Sequence, residues 1–203
     1  VFKAIKPLRK EQKMTDKNNT KVQSIPILHV DGTAYRTKDF PSLNRFYHYH
    51  KCNVVIFSID GADWVEFGNN KTNPTDKAIT THKRFLHHFL SQFGCSEIVI
   101  LERCYDGRHQ YSYAVSDTAF YTFVQELGYV TEQHSYLLLE ANRNHEAIFG
   151  DNRPPEIELK ENDTGDVILT YSRIQEVEDW EFPPSSLGWT YCVREDKFYV
   201  VEK

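Results

Sequence analysis

Between Asn53 and Glu140 the chain alternates runs that suit a buried strand with runs that suit an amphipathic helix. Asn53 to Asp60 (NVVIFSID) is a continuous, partly β-branched apolar run, the pattern of a strand covered on both faces. Gly61 to Lys71 is rich in Gly and Asn and reads as a loop. Asn73-Pro74-Thr75-Asp76 then opens a helix, with Asn73 as cap, Pro74 in the first turn and Asp76 at the positive end of the dipole. Its apolar residues Ala78, Ile79, Phe85, Leu86, Phe89, Leu90 and Phe93 recur at helical spacing, and Gly94 ends it. Glu97 to Leu101 and Tyr111 to Val115 read as a hairpin turning at Asp106-Gly107. Ser116 or Asp117 caps a second helix carrying Phe120, Phe123, Val124 and Leu127, which Gly128 closes. Ser135 to Leu139 (SYLLL) completes the series.

Strand, helix, strand, strand, helix, strand is the order of a ferredoxin-like β-α-β-β-α-β sandwich, in which two helices cover one face of a four-stranded sheet. The expected fold class is therefore α+β, with a ferredoxin-like core over about 53–150. Beyond Pro154-Pro155, the runs Ile157–Leu159, Val167–Tyr171, Trp189–Val193 and Phe198–Val201 predict a strand-rich C-terminal extension over 151–203. The last two runs flank Arg194-Glu195-Asp196-Lys197 as a hairpin. A short strand is expected over Ser24–Val30 with a turn at Asp31-Gly32, while Leu43 to His50 carries no clear structural signal. Together these make a single domain over 23–203, preceded by a disordered basic arm over 1–22.

Charge limits the partners. The 203 residues carry a net charge of −5. Seven basic and two acidic residues fall in 1–22, against thirteen acidic and six basic in 151–203. A mildly acidic chain lacks the clustered cations that would replace nucleic-acid counterions, so nucleic-acid binding is disfavoured. No apolar run is long enough for a membrane span, and a cytoplasmic protein is expected. The scattered cysteines Cys52, Cys95, Cys104 and Cys192 form no metal or redox motif and read as free thiols. His82, His87 and His88 share a helix but lie five or six residues from His82 to either partner, not the three or four that converge on one ion. Neither a metal nor a cofactor is therefore expected. Tyr111 and Tyr113 should share one face of the third strand, packed beneath the C-terminal extension.

Two polar clusters stand beside strand ends: Arg103-Cys104-Tyr105-Asp106-Gly107 and Thr131-Glu132-Gln133-His134-Ser135. With Asn53-Val54 and a serine, Ser58, one residue from its expected place, and with Asn142 to His145 after the last strand, this order resembles the phage S-adenosylmethionine hydrolases, which act as lyases. The resemblance covers about 53–150. It implies a trimer with its site between subunits, in host cytoplasm, that starves methylation-dependent restriction. It also implies cleavage of S-adenosylmethionine to methylthioadenosine and homoserine lactone by attack of the substrate's own carboxylate. Carried over by position, Glu132 and Tyr105 would be the catalytic contacts, Tyr105 as an aromatic wall. Gln133, Gln110, Ser58 and Tyr113 would be substrate contacts. Gln110 departs from the family, which has an acidic residue there; a neutral amide loses a partner for the substrate ammonium, so either Glu132 takes that role or the protein binds without turning over. The alternative is a non-catalytic phage or mobile-element inhibitor that docks a host protein through the acidic C-terminal region.

Overall fold

A computed structural model describes residues 28–49, 52–65, 74–105, 108–141, 157–171, 173–177, 189–195 and 197–202. Strands β1 (Leu28–Val30) and β2 (Thr33–Tyr35) form a hairpin on the tight Asp31-Gly32 turn, where both residues take positive φ. Helix α1 (Leu43–Tyr49) follows, then β3 (Val54–Val65), α2 (Asp76–Phe93), β4 (Val99–Tyr105) and β5 (Arg108–Ser116). The second helical region, α3, is one α-turn (Asp117–Ala119) running into a π-helix (Phe120–Gln125). It leads to β6 (Ser135–Leu139), β7 (Ile157–Glu161), β8 (Val167–Tyr171), β9 (Arg173–Val177), β10 (Trp189–Cys192) and β11 (Lys197–Glu202).

Strands β3 to β11 form one nine-stranded sheet in the order β8-β7-β6-β3-β5-β4-β10-β11-β9, antiparallel at every step. Its centre, β6-β3-β5-β4, contains the four strands expected from the sequence, with the expected helices α2 and α3 between them. The strands of the C-terminal region widen the sheet at both margins. One position, 172, separates β8 at one margin from β9 at the other. Two Cα steps span at most about 7 Å, so the sheet curls until its margins meet. Eight antiparallel steps leave β8 and β9 pointing the same way.

Curling gives the sheet an outer and an inner face. On the outer face Val55, Phe57, Ile100, Tyr113, Val115, Tyr136 and Leu138 meet Phe85, Leu86, Phe89, Phe120, Phe123 and Val124 of the helices. On the inner face Val54, Ile56, Val99, Leu101, Leu137, Leu139, Ile157, Leu159 and Tyr199 surround Leu43 and Phe46 of α1. The aromatic stretch without a clear signal is thus the helix that plugs the inner face. Its start was legible in Ser42, whose Oγ accepts from Arg45 N–H at 3.1 Å.

Local chemistry explains the boundaries. Thr75, rather than Asn73, caps α2, its side chain accepting from Ala78 N–H. Gly94 closes α2 with φ 80°. Ser116 caps α3 by accepting from Ala119 N–H. The wider π turn shifts the helical phase, so Leu127, expected on the buried face, is 51% exposed. The loop expected at Gly61 is instead a continuation of β3, interrupted by a bulge. Ser58 pairs with Ser112 and Asp63 with Gln110, so four residues of β3 stand opposite Tyr111 alone. The arm over 1–22 and the expected strand residues 24–27 lie outside the described residues, as does Asn142 to His145.

Candidate functional site

Alternation along β3, β4, β5 and β10 puts Ser58, Arg103, Gln110, Ser112 and Thr190 on the inner face, at the end of the sheet carrying the bulge. The apolar inner core fills the other end. Ser58 and Ser112 are buried and share a hydrogen bond of 2.7 Å, so each hydroxyl is satisfied by its register partner. Arg103 is the register partner of both Gln110 and Thr190, and half-buried.

Gln133 reaches this strip from the loop before β6. Gln110 Nε2 donates to Gln133 Oε1 at 3.4 Å, a long contact between half-buried amides. Glu132 is next to it, exposed, with its backbone N–H donating to Asp60 Oδ1 at 3.0 Å. Asp60 sits in the bulge and also accepts from Thr131 Oγ1 at 2.6 Å, while its own N–H donates to Tyr129 O at 2.9 Å. Asn162, in the turn after β7, holds the same loop from elsewhere: its Nδ2 donates to Val130 O and its N–H to His134 O, both at 2.9 Å.

Of the six residues singled out from the sequence, Gln110 and Gln133 therefore meet, Glu132 lies at their rim, and Ser58 shares their face, bonded to Ser112. Tyr105 ends β4, but its side chain lies outside the described residues. Tyr113 does not join them. It is fully buried on the outer face, beneath α2 rather than the C-terminal strands. There its hydroxyl shares a hydrogen bond with Nδ1 of His82. His82 also stacks on Tyr111 at 4.1 Å between ring centroids, so the two tyrosines do share a face as expected. Burial, aided by the charge of Lys83, lowers the His82 pKa to about 4, which keeps the ring neutral. Burial also pushes the Tyr113 hydroxyl well above its usual range.

Asp60 and Ser112 carry no role in the reading of the sequence, and Thr131 enters it only as a member of its polar cluster. The Asp60-Gly61 pair carried a signal, but it reads as the end of a strand rather than a bulge within one. Gly61 takes φ 67°, and a Cβ there would lie 2.7 Å from Lys77 Cε, so glycine suits both the backbone and the close approach of α2.

Chemically, the strip is lined by buried hydroxyls, two half-buried amides and the Arg103 side chain, with a carboxylate at the rim. That set can hold the polar edges of a small molecule and orient it. Among the described residues, no group of three or more His, Cys, Asp or Glu is placed to hold a metal ion. No described helix is long and apolar enough to cross a membrane. No protein-family model matches this chain, and no curated protein sequence matches it significantly.

Proposed function

We propose that the central β-α-β-β-α-β unit is a ferredoxin-like sandwich, and that the protein binds S-adenosylmethionine at the polar end of its inner face and cleaves it. The observation that carries the reading is the contact between Gln110 and Gln133, residues from separate elements that meet beside Glu132. These are positions at which the resemblance to phage S-adenosylmethionine-degrading enzymes puts substrate contacts.

The chemistry asks little of the protein. A carboxylate oxygen of the substrate attacks its own γ-carbon, the carbon–sulfur bond breaks, and its electron pair returns to sulfur. The products are neutral methylthioadenosine and a homoserine lactone that keeps its ammonium, so no proton has to move. The protein's part is to fold the substrate into attack geometry. Glu132 pairs with the ammonium, the amides of Gln110 and Gln133 hold polar edges, and the trimer implied by the resemblance completes the site. Tyr113 is left out of this assignment because it lies on the opposite face.

The test is incubation of the purified protein with S-adenosylmethionine, followed by chromatography for methylthioadenosine. Product is expected, and Glu132→Gln should lower turnover. Absence of product, together with no ligand-induced thermal shift, sinks the proposal.

A second reading is a non-catalytic inhibitor that docks a host protein through its C-terminal region. What favours it is the exposure of Val167, Ile168 and Leu169 on β8, within a strand that carries no charge. Under that reading no methylthioadenosine forms, and replacing Ile168 by Lys abolishes binding to the host protein.

A further inference from the structure

The loop that presents Glu132 and Gln133 carries its own turn bonds, Gln133 N–H to Val130 O at 2.9 Å and Thr131 Oγ1 to Gly128 O at 3.1 Å, and is held from outside at two levels. Asn162 takes its flanks, bonding to Val130 O and His134 O. Asp60 takes its middle, through Thr131 Oγ1 and the Glu132 N–H. The Asp60 carboxylate can do this because the bulge in β3 releases it from the regular pleat. Gly61, with its positive φ and the close Lys77 side chain, keeps the bulge in that shape. A backbone N–H and a hydroxyl converging on one carboxylate form charge-assisted hydrogen bonds, which are directional and shorter than neutral ones.

We infer that Asp60 is a positioning residue of the candidate site: it sets the course of Thr131 and Glu132, and through them of Gln133, relative to Gln110. For catalysis this rests on the proposed cleavage of S-adenosylmethionine, but the positional claim stands on the hydrogen bonds themselves. Since Asn162 holds the flanks independently, loss of Asp60 should move the middle of the loop and leave the rest of the fold in place.

The experiment compares wild type with Asp60→Asn, Asp60→Ala, Thr131→Val and Thr131→Ser. The first readout needs no substrate. In a two-dimensional NMR spectrum the Glu132 amide proton is expected to shift upfield in Asp60→Asn and further in Asp60→Ala. The Val130 and His134 amides should stay in place. A Glu132 amide unchanged in both variants overturns the inference. The second readout is steady-state turnover. kcat is expected to fall about tenfold or more in Asp60→Ala, since small displacements of contacts are costly to an oriented reaction. KM should change much less, Asp60→Asn should be intermediate, and Thr131→Ser should recover most of the loss seen in Thr131→Val. Retention of kcat within twofold in Asp60→Ala also overturns it. If wild type produces no methylthioadenosine but the Glu132 amide shifts as described, the proposed activity fails while the positional assignment is supported.

Discussion

Acid should destabilise this protein through one histidine. His82 is only 7% exposed, hydrogen-bonded at Nδ1 to Tyr113 and stacked on Tyr111. Its pKa falls from 6.5 in the free side chain to about 4 in the fold, chiefly through burial. The sign follows from proton counting. Between these two values the unfolded chain binds a proton that the folded chain refuses, so stability decreases as pH falls. The neutral histidine's contribution is complete above pH 6.5, declines through the interval, and is gone below about pH 4. At 1.36 kcal/mol per unit, the total loss is about 3 kcal/mol, a large part of a typical domain's stability. The assay is urea denaturation at half-unit steps from pH 7.5 to 4, on wild type and His82→Gln. Carboxylates contribute to both profiles, so the informative quantity is their difference. Wild type should lose about 3 kcal/mol more than the variant on going from pH 7 to pH 4. Parallel profiles would refute the reasoning, because they would mean that His82 charges as easily in the fold as outside it.

Three further outcomes follow from the same geometry. Ser58→Ala strands the buried Ser112 hydroxyl, and Ser112→Ala the Ser58 hydroxyl, so each should cost roughly 1–3 kcal/mol by denaturation; the double variant should cost clearly less than the sum. Gly61→Ala, forced to φ 67° against a flexible lysine, should cost about 1–2 kcal/mol, and Gly61→Asn less, as read from urea midpoints. Gln110→Glu restores the acidic group that the resemblance expects there, and should raise turnover of S-adenosylmethionine about tenfold by pairing with the substrate ammonium; unchanged kcat/KM would reject that role for position 110.

The parts of the fold that sequence revealed are those set by local chemistry. SYLLL is a strand over the very residues expected, Ser135–Leu139, because a short β-rich run has few other ways to be buried. Gly94 and Ser116 mark their helix ends for steric and hydrogen-bonding reasons that act within a few residues. The parts that stayed hidden depend on partners distant in sequence. Nothing local in Arg173–Val177 says that it pairs with β11, and nothing in Leu43–Tyr49 says that a curled sheet will surround it. The same distinction applies to the candidate site. Polar residues beside strand ends are visible as a class in the sequence, whereas the contact between Gln110 and Gln133 depends on the tertiary fold. Tyr113 lies on the helix-covered face; alternation tells which residues share a face but not which face the helices cover. The role of Asp60 is not legible locally because a bulge and a strand end use the same Asp-Gly signal, and only the β5 register tells them apart.

The single position between β8 and β9 also governs how the molecule can open. Two margins tied by one residue cannot drift apart by gentle flexing. To part them, either β8 must peel from β7 or β9 from β11, and each departure breaks a ladder of backbone hydrogen bonds together. Access to the inner face at this seam is therefore an all-or-none release of a strand, rather than a graded breathing of the sheet. Its signature would be a block of amides on one of those strands exchanging with solvent at a common rate, coupled to one another and separate from the helix-covered face.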